Sequence, residues 1–153
     1  MTRTYIKDIS QSIGSEVTVK GWVDVRRDQG KMVFLDLRDV TGKVQAVVLP
    51  NHVEALDVAQ KVRPEWVLAV TAQVNKRPER NIKAGVMNGD VELEVLSIEI
   101  VAEAEVPFEL GTEVNIDTFL DNQPYALRSE KSRAIFKVQT EIVKSFHQFL
   151  DGE

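Results

Sequence analysis

The fold is decided by residues 21–39, GWVDVRRDQGKMVFLDLRD, together with residues 42–45, GKVQ. Apolar and polar residues alternate on both sides of the central DQGK, which predicts two strands joined by a turn. The pattern places an aromatic ring, an amide and paired arginines on or beside adjacent strands. Side chains of these types bind unpaired nucleic-acid bases.

Five segments of the chain show the alternation that is typical of strands. They are residues 16–25, 32–37, 44–49, 66–75 and 91–101. A helix is predicted between the third and fourth strands, with Asn51 as its N-cap and its end before Pro64. Five strands with a helix after the third is the order of an oligonucleotide-binding (OB) barrel. We therefore predict a mainly β fold, with an OB barrel over residues 1–101.

Periodicity is lost after the fifth strand. Residues 102–125 are acidic and punctuated by proline and glycine, which predicts an irregular hinge. Residues 126–153 contain an apolar stripe at helical spacing, with Ser129 as the expected cap of a helix that runs to about Leu150.

Composition excludes several classes of protein. Of the 153 residues, 43% are hydrophobic and 28% charged, as in a soluble globular protein, and no apolar run approaches the roughly 18 residues that cross a bilayer. Residues 1–8 have no apolar secretory core. The chain has no cysteine, so disulfides, thiol nucleophiles and zinc-thiolate sites are excluded. A cytoplasmic protein without membrane contact is expected.

The distribution of charge matters more than its sum. A net charge of −5 argues against non-specific nucleic-acid binding, which depends on neutralising phosphates. Lys76, Arg77, Arg80 and Lys83 nevertheless crowd together in the predicted loop over residues 76–90, beside the binding face of an OB barrel.

Phe34 is the central candidate for a binding residue. A Phe in mid-strand is by default part of a core. Alternation, however, places Val33, Leu35 and Leu37 on one face, and Phe34 with Asp36 on the other. An exposed ring on such a face stacks with a base, at about 1–3 kcal/mol per base.

Gln45 is expected on the following strand, turned away from the apolar side chains. Its amide offers a donor and an acceptor together, which suits the edge of a base. Arg26, Arg27 and Lys31 are predicted to flank the turn between the first two strands, either as solvated charges or as contacts to phosphate and base.

The loop and the fifth strand supply three more candidates. Arg77 contributes a positive charge, and Asn81 can contact a base. Glu92, at the start of the fifth strand, can accept from an exocyclic amino group. No catalytic motif is present, and His52 and His147 lack carboxylates at ligand spacing, so we predict neither a catalytic residue nor a metal site.

These motifs resemble the N-terminal anticodon-binding domain of the class IIb aminoacyl-tRNA synthetases, and most closely its aspartyl branch. The similarity includes GWV at residues 21–23, RRD at 26–28, FLDLRD at 34–39 and GKVQ at 42–45. It continues through KRPE at residues 76–79 and GDVE at 89–92, and it covers nearly the whole chain.

The resemblance implies specific roles. Phe34 would stack on the central uridine of the anticodon and Gln45 would hydrogen-bond it, while Arg27 and Glu92 would help to recognise the flanking bases. The partner would be the anticodon stem-loop of a tRNA. The full-length enzyme would be a homodimeric aspartate-tRNA ligase that uses ATP and Mg²⁺, whereas this chain alone, without the later catalytic motifs, is expected to bind tRNA and to activate nothing.

Three alternatives stay open from the sequence. In the first, the domain belongs to an asparaginyl- or lysyl-type synthetase. These sister families share residues like Phe34 and Gln45, because the anticodons of their tRNAs have the same central uridine. A free-standing OB module that binds single strands or a protein is a second alternative. In a third, the apolar C-terminal helix is the functional element and drives dimerisation.

Overall fold

The computed structural model describes residues 3–152, and the predicted OB barrel is formed by strands between residues 16 and 102. The strands are β1 (Glu16–Asp28), β2 (Val33–Arg38), β3 (Lys43–Val48), β4 (Val67–Lys76) and β5 (Val91–Ala102). The helices are α1 (Val53–Lys61), α2 (Ile116–Asp121), α3 (Gln123–Ala126) and α4 (Glu130–Leu150). Short 3-10 helices occupy Ile6–Ser12 and Glu79–Asn81.

The five strands close into a barrel in the order β1-β2-β3-β5-β4. Neighbouring strands are antiparallel except β3 and β5, which run parallel and pair at Ala46–Leu93 and Val47–Glu94. Because a parallel pair needs a long connection, α1 and β4 lie between these strands in the chain. The barrel thereby brings β3 and β5, far apart in sequence, onto one outer surface.

The core is formed by the inward side of each strand. On β2, Val33, Leu35 and Leu37 are buried, as their alternation predicts. Burial of one such side chain contributes about 1.5–3 kcal/mol. Ile6 and Ile9 of the first 3-10 helix and Ala55 and Ala59 of α1 complete the same core.

A bulge in β1 changes which side chains face outward. The register with β2 shifts between Val23 and Val25, after which Arg26 lies opposite the buried Leu35 and Arg27 lies opposite Phe34. The predicted end of the first strand at residue 25 is therefore too early. Pairing with β2 extends β1 to Asp28, so the two arginines lie within the strand, next to its connection with β2.

The start of α1 also differs from the prediction. The N-cap is His52 and not Asn51, and its side chain makes no capping hydrogen bond. The imidazole contacts Glu94 of β5 instead, with Nε2 3.2 Å from Oε1.

Asp39, in the turn between β2 and β3, ties the N-terminal 3-10 helix to the barrel. Its carboxylate accepts hydrogen bonds from the backbone N–H groups of Ile6 (3.0 Å), Thr41 (2.7 Å) and Gly42 (3.1 Å) and from the Thr41 hydroxyl. Burial by itself raises the pKa of Asp39, but these hydrogen bonds outweigh it and lower the pKa below the usual value.

A second compact unit begins at Val106. The segment predicted to be irregular contains α2 and α3 there, and the Asn115 side chain caps α2 by accepting from Thr118 N–H at 2.8 Å. Ser129 caps α4 as predicted, accepting from Ser132 N–H. The long apolar face of α4 is exposed, with Ile142 60% and Phe146 66% accessible.

Candidate nucleic-acid interface

A cavity of about 390 Å³ opens on the outer surface of the barrel where β2, β3 and β5 meet the loop after β4. Its wall is formed by aromatic, amide, cationic and anionic side chains. This combination suits a ligand with a flat ring, polar groups at the edge of the ring and a negatively charged group close to it. The lining residues are Phe34, Gln45, Arg77, Arg80, Asn81, Ile82, Lys83 and Glu92.

Phe34 provides the flat apolar surface of this cavity. Its neighbours Val33 and Leu35 are fully buried in the core, whereas the Phe34 side chain is half-buried and points outward. Because successive side chains of a strand alternate between faces, the inward packing of Val33 and Leu35 fixes the outward direction of the ring. The ring is thus available for stacking.

Gln45 and Glu92 face the same cavity from neighbouring strands. They immediately precede Ala46 and Leu93, which are paired across the parallel ladder between β3 and β5. An amide and a carboxylate therefore lie side by side near the aromatic ring. Together they offer both hydrogen-bond donors and acceptors to the edge of a stacked base.

Arg77 is the most buried charged residue of the cavity, with 7% of its surface exposed. Its backbone N–H donates to the backbone carbonyl of Asp90 at 2.8 Å, but within residues 3–152 no hydrogen-bond partner reaches its Nε. A buried guanidinium N–H without a partner is costly, since it has lost its hydration. An acceptor that reached this N–H would remove that cost.

Arg80 and Asn81 reach the cavity from the 3-10 helix Glu79–Asn81, and Lys83 follows just after it. Three cations and one carboxylate line the cavity, so its local charge is positive although the chain as a whole is acidic. Such a local excess attracts phosphate.

Arg27 lies at the edge of the same outer face. It is directly across from Phe34, and its two terminal nitrogens donate to both carboxylate oxygens of Asp36, at 2.8 and 2.9 Å. The hydrogen bonds to Asp36 raise the pKa of Arg27 further above its ordinary value. The bidentate contact also holds the guanidinium beside the ring.

Arg26 and Lys31 are not brought to the cavity. The Arg26 Nε donates to the Ala59 carbonyl of α1 at 3.0 Å, and a terminal nitrogen donates to Asp28. The expectation that Arg26 contacts nucleic acid is therefore not supported by its position, because the bulge turns it toward the helix. Lys31 is exposed in the connection between β1 and β2.

Glu94 was not predicted from the sequence as a site residue. It lies two residues after Glu92 on the same outward side of β5, and its partner across the ladder, Val47, is in turn opposite Phe34. Its carboxylate accepts from Asn75 Nδ2 at 3.0 Å and is 3.2 Å from His52 Nε2. The alternation of residues 91–95 was the signal that Glu92 and Glu94 share a face.

Neither a metal site nor a membrane span is found in the described part of the chain. Within residues 3–152, His, Asp and Glu side chains nowhere gather in threes as a bound metal ion would require. No helix there combines the length and the apolar character needed to cross a bilayer.

Comparison with known proteins places this geometry in a family. The model of the tRNA anticodon family, an OB-fold nucleic acid binding domain, matches residues 17–101. An aspartate-tRNA(Asp/Asn) ligase of Halothermothrix orenii is 37% identical over 146 residues, which cover 93% of this chain and 25% of the ligase. An aspartate-tRNA ligase of Staphylococcus aureus (strain Newman) is 38% identical over 146 residues, 92% of this chain and 25% of that protein.

Solved structures show the same similarity. An aspartyl-tRNA synthetase from Entamoeba histolytica superposes with a TM-score of 0.84 at 25% identity, covering 99% of this chain and 38% of that one. An asparaginyl-tRNA synthetase from Pyrococcus horikoshii, complexed with asparaginyl-adenylate, gives a TM-score of 0.80 at 28% identity, over 98% and 34% of the two chains. The chain spans about a quarter of the length of the curated relatives described above.

Proposed function

Because this chain belongs to the tRNA anticodon family of OB-fold nucleic acid binding domains, we propose that its outer cavity binds the anticodon loop of a tRNA with a central uridine. The observation that carries the proposal is the joint presence of Phe34, Gln45 and Glu92 in one cavity beside three cations. An unpaired base stacks on an aromatic ring and is identified by hydrogen bonds to its edge.

The chemistry of uracil suits Phe34 and Gln45. A uracil ring stacked on Phe34 presents one N–H donor between two carbonyl acceptors along its edge. The Gln45 amide supplies a matching acceptor and donor from one side chain. Stacking provides affinity for any base, and the amide provides the preference for uracil.

The positive charge of the cavity explains how an acidic chain binds a polyanion. With a net charge of −5, the surface as a whole repels nucleic acid, so binding anywhere but the cavity is disfavoured. Arg77, Arg80 and Lys83 provide the local attraction. We propose that these cations contact phosphates or base carbonyls next to the stacked uridine.

The relatives described above also indicate the larger protein to which the domain contributes. We propose an aspartate-tRNA ligase that attaches aspartate to tRNA with ATP and Mg²⁺ as a cytoplasmic homodimer. In that protein the present chain recognises tRNA and performs no catalytic step. The Halothermothrix orenii relative is named as a ligase for both aspartate and asparagine tRNAs, so both anticodons belong in the tests.

The decisive experiment replaces the aromatic ring. Phe34→Ala is expected to weaken binding of an anticodon stem-loop with a central uridine by about 1–3 kcal/mol, or roughly 5- to 150-fold in Kd, because stacking is lost. Fluorescence anisotropy at one fixed salt concentration measures this change. Phe146→Ala, an exposed Phe on α4, is the matched control and should leave Kd unchanged. An unchanged Kd for Phe34→Ala would refute the role of the ring.

A competition experiment separates this function from that of a general single-strand binder. A stem-loop with a central uridine should displace bound probe at a lower concentration than a polypyrimidine strand of equal length. Equal competition by the two RNAs would favour the general binder.

A further inference from the structure

A polar cluster outside the cavity lining joins α1, β4 and β5. His52, the residue before α1, has Nε2 3.2 Å from Glu94 Oε1, and Asn75 Nδ2 donates to the other oxygen, Oε2, at 3.0 Å. Asn51 Nδ2 also lies 3.3 Å from His52 Nε2. An ionised carboxylate only accepts hydrogen bonds, so the contact with Glu94 is a hydrogen bond in the tautomer whose Nε2 carries the hydrogen. Each oxygen of Glu94 is therefore held by its own donor.

This arrangement leaves acceptor capacity on Glu94. A carboxylate has about four lone-pair sites, and the two donors use one on each oxygen. The side chain is 28% exposed, and the imidazole of His52 is 21% exposed. Glu94 thus presents a carboxylate of fixed orientation that can still accept from a ligand.

The position of the carboxylate relates it to the stacking ring. Glu94 is opposite Val47 across β3 and β5, and Val47 is opposite Phe34 across β3 and β2. All three lie in one row across the outer face. A base adjacent to the one on Phe34 would extend along this row toward Glu94.

We infer that His52 is a positioning residue for nucleotide recognition: it holds the Glu94 carboxylate so that this group accepts hydrogen bonds from the base next to the stacked uridine. The inference rests on the proposed function of the cavity. Guanine is the ligand class that suits such a group, because its edge offers neighbouring N1–H and N2–H donors. His52 itself does not touch the base.

The local structure supports a role beyond helix capping. As N-cap, His52 occupies a position where Ser, Thr, Asp or Asn normally accepts a hydrogen bond from the first turn. Its side chain makes no such bond. The imidazole is directed at Glu94, where it acts as a donor to a partly exposed carboxylate.

The experiment compares three substitutions of His52 with two RNA probes. The probes are stem-loops that carry guanine or inosine next to the central uridine, on its 5′ or 3′ side, since inosine lacks the N2 amino donor. The wild type should prefer guanine at one of these positions. His52→Ala and His52→Asn should reduce that preference by about two- to tenfold, the effect of one hydrogen bond.

His52→Gln is the conservative variant, because the Nε2 amide of Gln reaches the place of the imidazole Nε2 and can donate to Glu94. Its guanine preference should stay within about twofold of the wild-type value. This change is smaller than the loss of about two- to tenfold that is expected when one hydrogen bond is removed. Gln60→Ala, at an exposed position of α1, is the control that should change nothing. Circular dichroism melting of every variant separates folding from binding.

Several outcomes would overturn the inference. They are a wild type without guanine preference at either position, equal losses on guanine and inosine loops, and a His52→Gln variant as impaired as His52→Ala. In a Glu94→Gln background, His52→Ala should add no further loss of preference. Phe34→Ala, measured beside these variants, distinguishes the two proposals. If Phe34→Ala lowers the affinity for both stem-loops while His52→Ala leaves the guanine preference intact, the proposed function stands and only the role of His52 fails.

Discussion

Two adjacent arginines of one strand have different environments. Arg26 is held by the Ala59 carbonyl of α1 and by Asp28, whereas Arg27 is clamped by Asp36 on the face that carries Phe34. The bulge between Val23 and Val25 decides this, since without it the alternation would exchange the two directions. Arg26 is therefore tied to α1, whereas Arg27, a residue of the same type, lies on the face that carries Phe34.

Arg26→Ala and Arg27→Ala form a matched pair of variants. Arg26→Ala should lower the free energy of unfolding by about 1 kcal/mol, through the lost hydrogen bond to α1, and leave RNA affinity nearly unchanged. Arg27→Ala should weaken stem-loop binding and reduce the salt dependence of log Kd by about one unit of slope, as for one lost phosphate contact. Urea unfolding and anisotropy titrations over a salt series measure these effects. The assignment fails if Arg26→Ala has the larger effect on binding.

Asp39 makes the stability of the barrel sensitive to acid. Its pKa is lower in the folded chain than in the unfolded chain, so the folded state favours the ionised carboxylate. The resulting stabilisation is present above the unfolded pKa, near 3.9, and is lost as the pH falls through the lower folded pKa.

The unfolding free energy of the wild type should therefore fall on acidification from pH 5 toward pH 2. Asp39→Asn should be less stable at neutral pH and show a shallower decline over this range, as measured by urea unfolding at a series of pH values. Asp57→Asn, at an exposed position of α1, should keep the slope of the wild type. An Asp39→Asn profile parallel to that of the wild type would contradict this account.

At the scale of elements, the close approach of β1 and β2 depends on Gly21. A Cβ at this position would collide with the backbone carbonyl oxygen of Arg38 on β2. The neighbouring pair, Trp22 and Arg38, is in register there, and the guanidinium of Arg38 lies over the Trp22 ring at 5.5 Å. Since the obstacle is backbone, only a shift of the strands would make room.

Gly21→Ala should accordingly destabilise the barrel by about 1–3 kcal/mol or more, the range for overpacking. Thermal unfolding followed by far-UV circular dichroism gives the change. Lys20→Ala, one residue earlier and exposed on β1, is the control with little expected effect. A Gly21→Ala variant as stable as the wild type would show that β1 and β2 separate easily.

At the scale of the whole molecule, two kinds of surface stand out. One is the cationic cavity of the barrel, and the other is the apolar face of α4, where Phe146 and Phe149 are each 66% exposed. Large contiguous apolar faces are uncommon on monomeric proteins and mark association sites. We expect the chain to self-associate through α4.

Sedimentation velocity at several concentrations tests this expectation. The average mass should rise from 17.2 kDa toward twice that value with concentration. Ile142→Asp should hold the protein at the monomer mass and leave RNA binding intact, because α4 carries no cavity residue. A monomer at every concentration would refute association through α4.

Much of the architecture was predictable because it depends on local patterns. The alternation of residues 33–37 determined the outward side of Phe34. Ser129 as the cap of α4 was predictable for the same reason. These features need only neighbouring residues and the geometry of a strand or helix.

Other features depended on contacts between distant residues. If the alternation of β1 continued through Val25 without a bulge, Val25 would be buried and Arg26 exposed. Instead, Val25 is 39% exposed. The bulge that reverses this order follows from the pairing of β1 with β2, which no local pattern records. The grouping of His52, Asn75 and Glu94 likewise arises only when the barrel closes.

The sequence by itself thus determined the OB barrel, the outward ring and amide, and the cationic loop, because periodicity and charge are properties of the local chain. Only the tertiary structure decided that Arg27 and not Arg26 lies beside the ring and that Glu94 is held by two donors. Strand register and the closing of β3 against β5 join residues far apart in sequence, and their energy depends on the whole packed barrel.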